Sequence, residues 1–444
     1  MSQTKELDYP SVATKNPRLR LPTGIWAMGF ASLFMDMSSE LIHALLPLFM
    51  VTVLGSSMAS IGIVEGLAEA TAALMRVFSG ALSDRLQNRK WLMVGGYALS
   101  ALSKPFFPLA TSLGWVLAAR SVDRIGKGIR GAPRDALIAD ITPKALRGAA
   151  FGLRQALDSV GAFLGPLAAL FFMWLFAGDI AGAMWVAFFP AAIAVILLIM
   201  FVREPRSNSS DQTPTAAPPP PPTTPTTPTT PTTPTTPTPT PTPTSLKTTF
   251  QFEQLAQLGK PFWNVTALAA VFTLARFTDA FLILRAHDLG LRAAHAPAIM
   301  VLTNIVYAAL AYPCGKAADR FPARRLLAVG LLALILADVA LAFANDWTLV
   351  CLGAILWGTH MALTQGLFAK LITDTASPAQ RGSAFGVFGL VSAIALLAAS
   401  SIAGVLWNIA GARFTFLAGA AFASIALTGL LLIKSAQHRL QERR

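Results

Sequence analysis

Residues 80–90 read GALSDRLQNRK, and residues 315–325 read GKAADRFPARR. Gly80, Asp84, Arg85 and Arg89 thus return at one constant spacing as Gly315, Asp319, Arg320 and Arg324. A second echo follows at almost the same spacing: Asp140, Arg147, Gly148, Phe151 and Gly152 reappear as Asp374, Arg381, Gly382, Phe385 and Gly386. Short charged loops that recur at a fixed distance within an otherwise apolar chain mark two copies of one membrane unit, the arrangement of duplicated transporters.

Composition agrees. With 54% apolar residues, 13% charged residues and a mean hydropathy of +0.57, the chain does not read as a soluble globular protein. A spanning helix needs about 20 mostly apolar residues. Twelve such stretches are centred near 37, 70, 101, 123, 161, 193, 273, 305, 335, 359, 395 and 423, six in each half. The expected fold is an all-α membrane protein with a tail at 1–23, a six-helix unit at 24–203, a linker at 204–260, a second six-helix unit at 261–433 and a tail at 434–444.

The loops on one side, together with both tails and the linker, hold most of the lysines and arginines. The opposite loops hold only Arg285, Arg292 and Arg413. By the positive-inside rule, both termini and the linker are expected in the cytoplasm. The net charge of +13 is then accounted for at the inner membrane face without a nucleic-acid partner. The polar stretch before the first span, and the length of that span, predict a retained helix and no cleavable signal. Within the linker, Thr213 to Thr244 has proline at every second or third position. That pattern removes amide donors and fixes φ, so an extended or disordered spacer is expected, with a reach of roughly 100 Å at about 3.1 Å per residue; docking through PxxP is the alternative.

Cys314 and Cys351 form no CxxC pair, and the methionines of the first span show no soft-metal spacing, so neither a metal nor another cofactor is expected. Nor does the chain carry a phosphate-binding loop, HExxH or a nucleophile elbow, so it is not expected to be an enzyme.

GALSDRLQNRK resembles the loop 2–3 signature of the major facilitator superfamily, GxLaDrxGrrk, with Gln87 in place of the second glycine. The resemblance implies two six-helix bundles related by a pseudo-two-fold axis, in a multi-pass protein of the bacterial inner membrane. It also implies an inner latch between the bundles at Gly80, Asp84, Arg85 and Arg89, echoed by Asp319 and Arg320. Asp84 is expected just past the second helix, accepting hydrogen bonds from the amino end of a neighbour. GAFLGP, from Gly161 through Gly165 to Pro166, is similar to the GxxxGP core of the family's antiporter motif, although glycines four apart also suit plain helix packing. MDMSSELIHALLPLF, EGLAEA, DRIGKGIRGAPRDAL and ARFTDAFLILRA look like a broad prokaryotic branch of efflux-type permeases whose substrates are largely unassigned.

Ionisable residues inside a membrane cost a few kcal/mol each and normally face protein or water, with partners. The first half has many. Arg120, Arg124 and Lys127 recur along one face of the fourth span, with Asp123 among them. Asp36 and Glu40 sit near mid-depth on the first span, and Arg276 and Asp279 on the seventh. In the resembled family the first, fourth and seventh helices line the central cavity, so these eight residues are the candidates for substrate binding or proton coupling, with fold-holding ion pairs as the alternative. Glu65 and Glu69 are expected to pair with Lys104, and Arg154 with Asp158, as structural pairs. His43, which follows Glu40, is read as a packing group, with a part in a proton relay as the alternative.

The expected function is proton-coupled efflux of a small organic compound by alternating access, with small molecule, protons and lipid as partners and the monomer as working unit. Proton-coupled uptake of an organic anion is the alternative suggested by the basic fourth span. A membrane sensor that does not transport is the alternative from another class.

Overall fold

The computed structural model describes residues 21–86, 88–143, 146–204, 259–375 and 381–441, and among them every regular element is helical. Hydrocarbon offers backbone N–H and C=O groups no partner, so each span closes its hydrogen bonds within itself. The first half contains α1 (Thr23–Thr52), α2 (Met58–Leu86), α3 (Arg89–Ser103), α4 (Leu113–Ile141) and α5 (Arg147–Leu175), then a broken span formed by α6 (Ile180–Trp185) and α7 (Phe188–Phe201). The second half opens on another broken span, α8 (Lys260–Ala275) and α9 (Ala280–Asp288). It continues with α10 (Ala298–Arg320), α11 (Ala323–Ala342), α12 (Trp347–Thr375), α13 (Arg381–Ala410) and α14 (Ala412–Gln441).

Taking each broken pair as one span gives twelve. Ten are long and apolar enough to cross a bilayer by that criterion alone. The other two are α3, a 15-residue helix prolonged by the 3₁₀ turn Lys104–Phe106, and α4, whose hydropathy is depressed by Arg120, Asp123, Arg124, Lys127 and Arg130. Both breaks leave backbone groups that need partners, and side chains supply them. The Ser38 hydroxyl donates to the Ala187 carbonyl at 2.6 Å beside the α6–α7 break. At the α8–α9 break the Thr278 amide donates to Ser400 Oγ at 3.3 Å.

α1 packs on α5 and α7, α3 on α4, and α2 lies between α4 and α13. In the second half α12 packs on α10 and α11, and α14 on α8 and α11. Between halves, α2 meets α13 and α5 meets α10, so the second span of each half touches the fifth span of the other. That reciprocal pattern is the mark of a two-fold relation between the halves.

Small residues set the closest approaches, as expected where van der Waals packing rather than water exclusion drives helix association. A Cβ on Gly161 would lie 3.0 Å from the Leu33 Cα, and one on Gly165 would lie 2.5 Å from the Glu40 Cβ and 2.8 Å from the Met37 carbonyl oxygen. The glycines of GAFLGP therefore bring α5 backbone to backbone with α1. Gly96 and Gly126 do the same for α3 and α4, where each would-be Cβ runs into the other helix's main chain.

Candidate functional site

Between the halves lies a cavity of about 650 Å³. Its walls come from the middle of α1, from α2 and α4, from α8 and its break before α9, and from α12 and α13. The lining residues sit at mid-depth or toward the face where the central linker attaches. Toward the far face α2 and α13 close against each other: a Cβ on Gly66 would meet the Leu397 Cα at 2.9 Å, and one on Gly404 the Ala59 Cα at 2.9 Å. Near the far ends of the same two helices, the Met58 amide donates to Asn408 Oδ1 at 3.1 Å.

The wall facing α1 is a chain of charges. Glu65 Oε2 accepts from Arg120 Nη2 at 2.7 Å, the same nitrogen reaches His43 Nδ1 at 2.8 Å, and His43 Nε2 lies 2.8 Å from Asp279 Oδ1. A guanidinium can only donate, so Nδ1 is the acceptor and the ring proton belongs on Nε2, which donates to Asp279; this tautomer is assigned from the network. Asp279 belongs to the second half and His43 to the first, so the imidazole bridges them. Glu65 and Arg120 are fully buried, while Asp279 keeps a third of its side chain exposed.

A second group lies behind this wall. Lys104 Nζ donates to Asp123 Oδ1 at 2.8 Å and to Ser39 Oγ at 3.1 Å, all but sealed from solvent. Arg124 joins the two groups, 3.1 Å from Glu69 Oε1 and 4.0 Å from Asp123 Oδ2.

Of the eight residues singled out on the first, fourth and seventh spans, Glu40, Arg124, Lys127, Arg276 and Asp279 line the cavity. Arg120 and Asp123 support the wall from behind. Asp36 is turned away toward Arg130, at 3.6 Å, and that guanidinium also stacks over the Tyr97 ring, with its carbon 4.7 Å from the centroid. The expected pairing of Glu65 and Glu69 with Lys104 does not occur. Lys104 pairs with Asp123 because Gly96 and Gly126 seat α3 directly on α4, whereas Glu65 and Glu69 point from α2 to Arg120 and Arg124. Arg154 does pair with Asp158, at 2.5 Å within α5.

His43, read from sequence as a packing group, lines the cavity and hydrogen-bonds to Arg120 and Asp279. Its position one turn beyond Glu40 was the available signal; its partners on α4 and the α8–α9 break were not readable. Asp84 also differs from expectation, since α2 continues to Leu86 and Asp84 lies inside its last turn. The side chains of Gly80 to Leu86 and of Asp319 fall outside the described residues, and so do Gln87 and the Pro/Thr linker. Arg89 forms an ion pair with Asp140 at the end of α4, and Glu204 accepts from the Arg89 and Lys90 amides at 2.7 and 3.0 Å, a carboxylate on the amino end of α3. These ties hold the first half together. Arg320 ends α10 in an exposed position.

A family model for the Major Facilitator Superfamily matches residues 28–284 and 265–443. The MFS-type transporter MJ1317 of Methanocaldococcus jannaschii is 32% identical over 422 residues, covering 93% of this chain and 95% of that one. The multidrug resistance protein MdtH of Photorhabdus laumondii is 29% identical over 192 residues, 43% of this chain and 46% of its own length. The inward-facing crystal structure of a bacterial homolog to the human lysosomal transporter Spinster superposes with a TM-score of 0.67 at 19% identity, covering 92% of this chain and 95% of the other. Paired spans, a cavity between two related halves and a family match along nearly the whole chain lead to one conclusion: this protein belongs to the major facilitator superfamily.

Proposed function

We propose that the chain is a proton-coupled exporter of a small organic compound, working by alternating access between two bundles at 24–203 and 261–433. Both termini and the linker lie on the cytoplasmic side of the inner membrane, as the loop charges favour. The cavity then faces the cytoplasm, where an exported compound is collected. The partial match to a multidrug resistance protein supports the outward direction.

The observation that carries the coupling is the hydrogen bond from His43 to Asp279, a polar bridge between α1 and the broken seventh span at the cavity wall. Alternating access requires such a bridge to be made and broken. His43 Nδ1 is the basic atom of the network, and a proton placed there turns an acceptor from Arg120 into a second donor. Arg120 must then let go. Glu65 Oε2, 3.6 Å from Nδ1, stands ready to accept in its place. Each proton therefore rearranges the pair that positions His43 against Asp279, which biases the contact between the bundles.

The test uses proteoliposomes with a trapped pH-sensitive dye and the compound that most stabilises the purified protein. His43→Gln and Asp279→Asn are expected to abolish compound-dependent proton movement while compound exchange persists. Wild-type proton movement in both variants removes the bridge from the mechanism, and its absence in the wild type removes proton coupling.

A further inference from the structure

The chemistry of the cargo can be argued from which cavity charges are already satisfied. Among the acids that line the cavity, Glu65 is held by Arg120, Glu69 by Arg124 and Asp279 by His43. Only Glu40 makes no hydrogen bond or ion pair among the described residues. Three cations stand against it: the side chains of Arg76, Lys127 and Arg276 line the cavity and make no hydrogen bond or ion pair among the described residues. Arg76 lies along α4, where a Cβ on Gly131 would come within 3.9 Å of its Nε, and Lys127 projects from that same helix. Arg276 enters from the other half, at the point where α8 stops. Asp279 and Glu69 act on Arg276, and Glu69, Asp36 and Glu40 on Lys127, only from beyond ion-pair distance, so these cations keep donors at mid-depth that water or an anionic ligand must satisfy.

The opposite wall has a different character. Phe272, Phe368 and Phe388, from α8, α12 and α13, form a contiguous aromatic surface with centroids 4.9 and 6.2 Å apart. All three belong to the second half, while the acid-to-base network belongs mostly to the first.

Taking the transporter reading as its basis, the geometry points to an amphiphilic organic anion as cargo: an aromatic or apolar body against the phenylalanine wall, and a carboxylate, sulfonate or phosphonate group among Arg276, Lys127 and Arg76. The fork of Arg276 suits a planar or tetrahedral oxyanion. Because Arg276 sits on one half and Lys127 and Arg76 on the other, the anion neutralises cations from both bundles at once and favours their approach. Glu40 opposes it, and that opposition gives the idea a readout of opposite sign.

The test is thermal stability of the purified full-length chain with four probes of matched shape or charge: naphthoate, naphthamide, naphthylmethylamine and acetate, at equal ionic strength. Naphthoate is expected to raise the melting temperature, and the other three are not. Its apparent affinity should fall about tenfold or more in Arg276→Gln, the effect of losing one charge-assisted hydrogen bond. Affinity should rise or hold in Glu40→Gln and stay unchanged in Arg292→Gln, which lies outside the cavity. Stabilisation by the amine, an undiminished naphthoate response in Arg276→Gln, or no naphthoate response at all overturns the proposal. A cationic or neutral compound that stabilises the protein and drives proton movement in proteoliposomes sinks the anion and spares the transporter reading. Naphthoate binding without any transport does the reverse.

Discussion

Replacing Gly62 by alanine tests whether the α2–α13 contact is a gate. The added Cβ would sit 2.9 Å from the Ser400 carbonyl carbon, closer still to its oxygen, and 3.4 Å from the Gly404 Cα. These atoms are all backbone, so no rotamer change relieves the clash, and the helices must part by several tenths of an ångström or more. Overpacking of this kind costs about 1–3 kcal/mol. That penalty applies only while the two helices touch at the far face. If the contact is a gate, the two helices separate in the opposite conformation and release the methyl group, and the penalty becomes a population shift of about 5- to 150-fold toward far-face opening.

Spin labels at Ser56→Cys and Ile409→Cys, with Cys314 and Cys351 replaced by serine, would report the distance across this closure. Gly62→Ala should enlarge the long-distance population with little loss of melting temperature. Gly95→Ala, whose Cβ would have no neighbour within 4 Å, is the control for adding a methyl group to a span. An unchanged distance distribution together with a large fall in melting temperature would refute the gate and leave an ordinary packing lesion.

Three further outcomes follow from the charges and the linker. Asp123→Asn should lower the melting temperature sharply and reduce yield, because it strands Lys104 in a sealed site, at an expected cost of about 3–5 kcal/mol; the double variant with Lys104→Met should recover much of that loss, and thermal denaturation in detergent checks both. Asp338→Asn should be neutral or stabilising. Asp338 is fully buried in α11, and neither of its oxygens has a hydrogen-bond partner among the described residues, so exchanging the carboxyl for an amide of the same shape breaks no hydrogen bond and strands no partner; a melting temperature several degrees lower would refute this. Deleting Thr213 to Thr244 should leave transport near the wild-type rate at equal expression, because the remaining residues of 204–260 still connect the halves. A large loss would show that the proline-rich segment does more than connect.

Much of the fold was legible because the bilayer imposes a length and an apolarity on every span, and because the loop at 80–90 survives in a second copy. Two of the twelve spans meet the length and apolarity requirement least well. α4 carries too many charges to pass as apolar, and α3 is short. The helix breaks were harder to see. Arg276 to Asp279 interrupts the seventh span without glycine or proline, since the interruption is held by Ser400 from a distant helix. Pairing was least legible of all. Depth along the spans brought Lys104 level with Glu65, but depth says nothing about rotation around the helix axis. The Gly96–Gly126 contact fixes that rotation and turns Lys104 toward Asp123.

The same reasoning accounts for the asymmetry of the cavity. The two halves keep matching loops, where topology and helix ends constrain the residues, but they diverge at mid-depth, where only the cargo and the partner bundle do. In the first half mid-depth filled with paired charges on α2 and α4. At the corresponding depth of the second half, α12 carries Trp357 and His360, with His360 bonded to the Gly330 carbonyl oxygen at 2.8 Å and stacked on Phe272. A duplicated scaffold with two like halves would present a cavity with two like walls. This one has a charged wall and an aromatic wall, so the anion proposed above would take one orientation in it. Rocking of the bundles would then act on its polar end through Arg276 in one half and Lys127 and Arg76 in the other, and on its apolar end through the second half alone. Exchanging Phe368→Arg with Arg276→Phe should therefore fail to restore binding even though composition and net charge are preserved, because Arg276 stands at the α8 break near Asp279 while Phe368 packs between Phe272 and Phe388.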